Sequence, residues 1–160
     1  MRYKMRQRIW TLRDRFNIED ENGDPTFQVV GRLFSIGDKL SFEDMEGNEL
    51  AFIAQRLISM RSAYDIQRDG ETFATVVKNI TLFRDKFTVD VPGPNDYKVT
   101  GNFFDYDYRF EREGRDVASV SKQFFSLSDT YGVDIVEGED DVIILATAVV
   151  IDLVSHDDED

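Results

Sequence analysis

Val142-Ile143-Ile144-Leu145-Ala146-Thr147-Ala148-Val149-Val150-Ile151-Asp152-Leu153-Val154 decides how this chain folds. The run is thirteen residues long and only Thr147 and Asp152 interrupt it. Ordinary strands run to about 5–6 residues, so the length favours a helix. Glu137, Glu139, Asp140 and Asp141 precede it and His156 follows, which suits the positive and negative ends of a helix dipole. Almost no polar face is left, so such a helix must be buried on every side. Its β-branched residues lower helix propensity, and tertiary burial must supply the stability. The competing reading is a buried strand, because periodicity does not separate the two in a short apolar run. As a helix it spans about 20 Å, short of the roughly 30 Å hydrocarbon core of a bilayer.

Upstream, the signals are those of β structure. Leu40-Ser41-Phe42-Glu43 alternates and Met45-Glu46-Gly47-Asn48 turns. Leu50 to Leu57 follows as a second run. Ala63 to Arg68 leads into Asp69-Gly70, a strong hairpin dipeptide, and Thr72 to Val77 returns. Lys86 to Val91 ends at Pro92-Gly93-Pro94-Asn95, and Glu113-Gly114 turns into Val117-Ala118-Ser119-Val120. From Tyr97 to Phe110 aromatics alternate with Asp and Arg, broken at Gly101. Period two places Phe104, Tyr106, Tyr108 and Phe110 on one face, against Phe103, Asp105, Asp107 and Arg109 on the other. Core packing explains these aromatics better than base stacking, which needs basic neighbours.

The hairpins repeat. Gly47-Asn48-Glu49-Leu50-Ala51-Phe52-Ile53 matches Gly70-Glu71-Thr72-Phe73-Ala74-Thr75-Val76 and Gly114-Arg115-Asp116-Val117-Ala118-Ser119-Val120. The first and third copies stay in step further on, where Ser59-Met60 and Tyr64 correspond to Ser126-Leu127 and Tyr131. One hairpin reused around a sheet predicts a closed or nearly closed barrel. A single apolar helix in such a protein has one natural place, the barrel interior. There Ile144, Leu145, Val149 and Ile151 form the core. Asp152 must then be paired, protonated or at the helix exit, near the barrel mouth and bonded to Arg, Tyr or backbone amides.

The 160 residues hold 32 Asp and Glu against 19 Lys and Arg, a net charge of −13. A chain this acidic is a poor general binder of nucleic acid. Lys is scarce, and at molar salt a Debye length of about 3 Å screens such self-repulsion, so the expected source is halophilic. The absence of cysteine excludes disulfides, zinc–thiolate sites and thiol nucleophiles. A single His156 excludes multi-histidine metal sites and most histidine-based triads. A site of His156 with Asp152, Asp157 and Asp158 is a weak metal candidate. No Walker loop, dinucleotide fingerprint, nucleophile elbow or zinc-protease motif is present. No metal or cofactor and no catalytic residue is expected.

Charge is segregated along the chain. Arg2, Lys4, Arg6, Arg8, Arg13 and Arg15 form the one cationic cluster, and residues 156–160 read as an acidic tail on a domain spanning 1–155. As a strand, the first four share a face. They contact an anion or lipid headgroup, or they pair with the protein's own carboxylates. No apolar signal segment follows them, so the expectation is a cytoplasmic protein, peripheral to a membrane if it meets one.

These residues resemble the LURP-one-related family, which has the tubby C-terminal-like fold and is similar to phospholipid scramblases. The likeness runs through Gly31-Arg32-Leu33-Phe34-Ser35-Ile36-Gly37-Asp38-Lys39-Leu40, Asp44, Gly47-Asn48-Glu49-Leu50-Ala51 and Gln55-Arg56-Leu57. It resumes at Asp129-Thr130-Tyr131-Gly132-Val133 and in Leu145 to Val154. The acidity points to a haloarchaeal member. The resemblance implies an all-β fold of about twelve antiparallel strands enclosing a hydrophobic C-terminal α-helix. Tubby-type relatives bind phosphoinositides through basic side chains, and scramblase relatives act at membranes. The expected function is a non-catalytic binding or regulatory module with a phospholipid or protein partner. The alternative is a structural or protein-interaction scaffold with no small ligand.

Overall fold

Four hairpin turns set the architecture. The repeat glycines Gly47, Gly70 and Gly114 hold φ of 90°, 81° and 76°, where a Cβ is disfavoured. In Asp69-Gly70 and Glu113-Gly114 both turn residues have positive φ, the twist that matches flanking strands. Each glycine is followed four residues on by a buried alanine, Ala51, Ala74 or Ala118. Across the ladder these face Phe42, Ile66 and Phe110, so a small residue is set against a large one. Directly after that pair each hairpin slips register, at Phe42/Glu43, Ile66/Gln67 and Phe110/Glu111. A fourth hairpin slips likewise at Ile18/Glu19 around Gly23, with Phe27 opposite Ile18. Both members of that pair are large and no alanine stands there, and so it escapes recognition in the sequence repeat.

The computed structural model describes residues 1–9, 15–32, 39–56, 63–79, 85–125 and 128–155. It contains strands β1 (Arg2–Arg6), β2 (Arg15–Asp20), β3 (Pro25–Arg32), β4 (Lys39–Asp44), β5 (Glu49–Gln55) and β6 (Ala63–Arg68). These are followed by β7 (Glu71–Asn79), β8 (Lys86–Asp90), β9 (Tyr97–Asn102), β10 (Asp107–Arg112), β11 (Arg115–Ser121) and β12 (Thr130–Ile135). Each pairs antiparallel with its sequence neighbours, and β1 pairs with β12 to close a twelve-stranded barrel. Closure gives every one of these strands a neighbour on both sides.

Helix α1 (Asp141–Ser155) fills the interior. Residues 143–153 are all buried, including Ile144, Leu145, Val149 and Ile151. The extended reading of this segment is thereby excluded. Asp140 accepts a hydrogen bond from the Ile143 amide at 3.2 Å and satisfies one of the orphan donors of the first turn. The helix lies closest to β5, β6, β7 and β12. Ala51, Ala63 and Ala74 on those strands are small enough to admit it. Thr147, wholly buried, satisfies its hydroxyl on the Ile143 carbonyl at 2.7 Å. No helix among the described residues is long and apolar enough to cross a membrane.

The aromatic stretch differs from simple alternation. β9 ends at Asn102 and residues 103–106 form a turn, with Tyr106 at φ 54°. Parity is lost across that turn. Phe103 goes inward, edge-on to Phe87 at 4.8 Å, while Phe104 is exposed. The break therefore lies after Asn102 rather than at Gly101. Arg13, Leu33 to Asp38, Leu57, Ser59, Met60, Ser126, Leu127 and the tail from His156 lie outside the described residues. Tyr64 and Tyr131, which the repeat equates, are each the second residue of a strand and each is buried.

Candidate functional site

The two mouths of the barrel are built differently. The short hairpins ring the mouth where α1 enters, and side chains there clamp the acidic approach to the helix. Arg112 donates to Glu139 at 2.8 Å, Tyr97 to the same carboxylate at 3.2 Å, and Arg68 to both oxygens of Asp140 at 2.9 Å. Tyr3 donates to Asp141. Burial and the Glu139 charge push the Tyr97 phenol up to about 12. Glu139, Asp140 and Asp141 thus form a plug held by basic and phenolic side chains.

The opposite mouth holds a buried carboxylate. Asp152 is 2% exposed. It accepts a hydrogen bond from the Tyr106 hydroxyl at 2.6 Å and one from the Ile9 amide at 3.3 Å. The Tyr106 oxygen in turn accepts from the Arg8 amide at 3.0 Å. Tyr131 stacks on Tyr106 at 4.6 Å, and its buried hydroxyl has no hydrogen-bond partner among the described residues. Desolvation pushes the Asp152 carboxyl up to about 7, against the opposing pull of the Tyr106 bond, the Ile9 and Arg8 amides and the Arg8 charge. Burial and the Asp152 charge raise the Tyr108 and Tyr131 phenols as well. Arg8 and Tyr106 both take φ of 54°, a conformation costly for residues with a Cβ, and both meet at this carboxylate.

The outer wall carries the cationic strand. Tyr3 and Met5 point into the core, so Arg2, Lys4 and Arg6 share the outer face of β1. Arg8 does not join them. β1 ends at Arg6, and Arg8 turns its backbone toward Tyr106. Arg2 pairs with Asp134 at 3.6 Å and Lys4 with Glu19 at 2.8 Å. A 3-10 turn at Lys122–Phe124 lies beside them. It brings the Phe124 ring to 4.2 Å from the Arg2 guanidinium and the Phe125 ring to 5.8 Å from the Lys4 ammonium. Gly132 makes room for this strap, because a Cβ there would stand 2.6 Å from the Phe124 Cβ.

Next to this wall the barrel seam opens. β1 and β2 pair only at Tyr3↔Asp20 and Lys4↔Glu19. Beyond Lys4 a groove of about 270 Å³ separates them, with Met5 and Phe16 below and Lys4, Arg6 and Arg15 around it. The contribution of Arg15 to a groove and the aromatic strap at 124–125 carry no signature in the linear sequence. Only strand pairing brings them to β1.

A closed meander packed by its own C-terminal helix defines a helix-filled, twelve-stranded barrel protein, whose accessible surface is the wall and the mouths. The chain belongs to the LURP-one-related family, whose profile matches residues 1–152. It is 36% identical over 157 residues to the uncharacterised protein YxjI of Bacillus subtilis, covering 98% of this chain and 94% of that one. It also superposes on the X-ray structure of an Arabidopsis thaliana protein with a TM-score of 0.66 at 18% identity. That match covers 96% of this chain and 91% of the other, and it is a likeness of fold.

Proposed function

We propose that the chain is a non-catalytic binding module that docks its β1 wall on an anionic phospholipid surface. One observation carries the reading. In a chain of net charge −13, Arg2, Lys4 and Arg6 stand in a row on one outer strand face, beside the half-buried rings of Phe124 and Phe125. Cations near an anionic leaflet contribute about 1 kcal/mol each. The phenyl rings beside them supply apolar surface for the boundary between headgroups and acyl chains. With α1 occupying the interior, binding falls to the outer wall and no metal or cofactor is required. On this reading the protein is cytoplasmic and peripheral to the membrane.

Co-sedimentation tests it. Vesicles containing anionic lipid are expected to retain the protein at low salt and release it as salt rises. The R2Q/K4Q/R6Q triple variant is expected to stay in the supernatant. Equal recovery with anionic and zwitterionic vesicles overturns the reading. A protein-interaction scaffold is the second reading, and the pairing of Arg2 with Asp134 and of Lys4 with Glu19 favours it. Under that reading neither vesicle type retains the chain.

A further inference from the structure

We propose that the opening between β1 and β2 is a phosphate-monoester site gripped by the guanidinium groups of Arg6 and Arg15. The proposal rests on the anionic-surface reading above and names the chemistry at one end of that wall.

Pairing of the arginines singles this place out. Arg2, Arg56, Arg68, Arg109, Arg112 and Arg115 each stand within 4 Å of a carboxylate. Arg6 and Arg15 have no carboxylate partner among the described residues, and both line the same groove. Carboxylates outnumber cations 32 to 19 in this chain, so most exposed guanidiniums find one close by. The third cation of the groove, Lys4, is matched by Glu19 at 2.8 Å. Among the described residues, two positive charges remain uncompensated on opposite walls of one opening.

The shape comes from the barrel seam. The β1–β2 ladder stops at Lys4↔Glu19, yet β1 continues to Arg6 and β2 begins at Arg15. The strands part where the arginines stand. The floor is apolar, made by Met5 and Phe16 at 1% and 7% exposure. At about 270 Å³ the groove is close to the smallest ligand sites, of roughly 300 Å³. It suits a headgroup-sized fragment rather than a nucleotide cofactor.

Charge then selects the ligand. A phosphate monoester carries about −1.5 to −2 at pH 7 and offers three acceptor oxygens. It balances both guanidiniums, whose forked donors suit tetrahedral oxyanions. A carboxylate or a phosphodiester brings a single charge and leaves one guanidinium uncompensated. The monoester belongs either to a phosphatidic-acid type headgroup or to a soluble phosphate ester.

The full chain and its R6Q and R15Q variants are titrated calorimetrically with glycerol phosphate. The same proteins are sedimented with phosphatidylcholine vesicles carrying phosphatidic acid or, at matched surface charge, phosphatidylglycerol. The wild type is expected to bind glycerol phosphate, or to prefer phosphatidic acid over phosphatidylglycerol. The first result assigns the soluble source and the second the lipid. Each variant is expected to weaken that binding roughly tenfold or more with an unchanged melting temperature. R15K, which keeps charge and loses the fork, is expected to weaken it too. Equal binding to both anionic vesicles, no response to glycerol phosphate and no effect of R15Q overturn the monoester site while the surface reading stands. Absence of binding to every vesicle and to the ester overturns both.

Discussion

Tyr106, in the turn between β9 and β10, donates its phenolic proton to Asp152 of α1 across 2.6 Å. Residues from the β1 end complete the node, since Ile9 donates its amide to the same carboxylate and Arg8 donates its amide to the Tyr106 oxygen. The node joins three parts of the chain at the mouth that the helix reaches with its C-terminal end. It also places a titratable group where its protonation state alters stability.

The first prediction concerns pH. The folded Asp152 carboxyl titrates at about 7, above its unfolded value of about 3.9. The folded state therefore holds a proton that the unfolded state has released between these values. The stabilisation from Asp152 is full below pH ~4 and is lost as pH rises toward 7. Asp152→Asn removes the titration. Denaturant unfolding of both proteins is expected to shift in favour of the variant across that window, by up to about 4 kcal/mol. Parallel profiles would refute a buried titrating carboxylate.

A second prediction isolates the phenol. Tyr106→Phe leaves the carboxylate and the Arg8 amide with one partner fewer, a cost of about 1–3 kcal/mol. It also removes an influence that lowers the Asp152 pKa, so the carboxyl should titrate still higher in carbon NMR. Measured at one pH, the effects of Tyr106→Phe and Asp152→Asn should fail to add in the Y106F/D152N double variant. Additive effects would mean that the two side chains act independently.

Gly132 is the third test. It needs no unusual φ, so alanine is acceptable to its backbone, yet the new methyl meets Phe124 at 2.6 Å and Phe125 at 3.0 Å. Gly132→Ala should push the strap off β12, destabilise by about 1–3 kcal/mol and speed amide exchange at residues 122–125. Wild-type exchange there would show that the rings are not seated on β12.

The fourth concerns salt. A net charge of −13 repels itself, and at molar ionic strength the Debye length contracts to about 3 Å. The melting temperature is expected to rise from dilute buffer to molar KCl. Equal or greater stability in dilute buffer would count against a salt-adapted chain.

Much of the fold is legible in local pattern. The hairpin glycines, the alanines that follow them and an apolar run without a polar face each state a local requirement. Gly70 can hold a φ of 81° because it has no Cβ, and Ala74 can face Ile66 because it is small. The aromatic stretch is less legible. Period two holds only within a strand, and the turn at 103–106 exchanged Phe103 for Phe104 at the core. The candidate site was half visible. Arg2, Lys4 and Arg6 alternate with buried residues and so declare a face, whereas Arg8 lies past the strand end.

The amino-acid order alone determined that a helix with no polar side had to be enclosed, and that repeated hairpins had to do the enclosing. Local sterics and apolar burial act over a few residues, and they can be read over a few residues. Only the tertiary structure decided which distant groups became neighbours: Arg15 with Arg6, Phe124 with Arg2, Tyr106 with Asp152. Those meetings depend on where β1 closes against β12 and where it parts from β2. Closure of a barrel is a property of all twelve strands at once, because each register shift is passed on around the ring until the last strand meets the first.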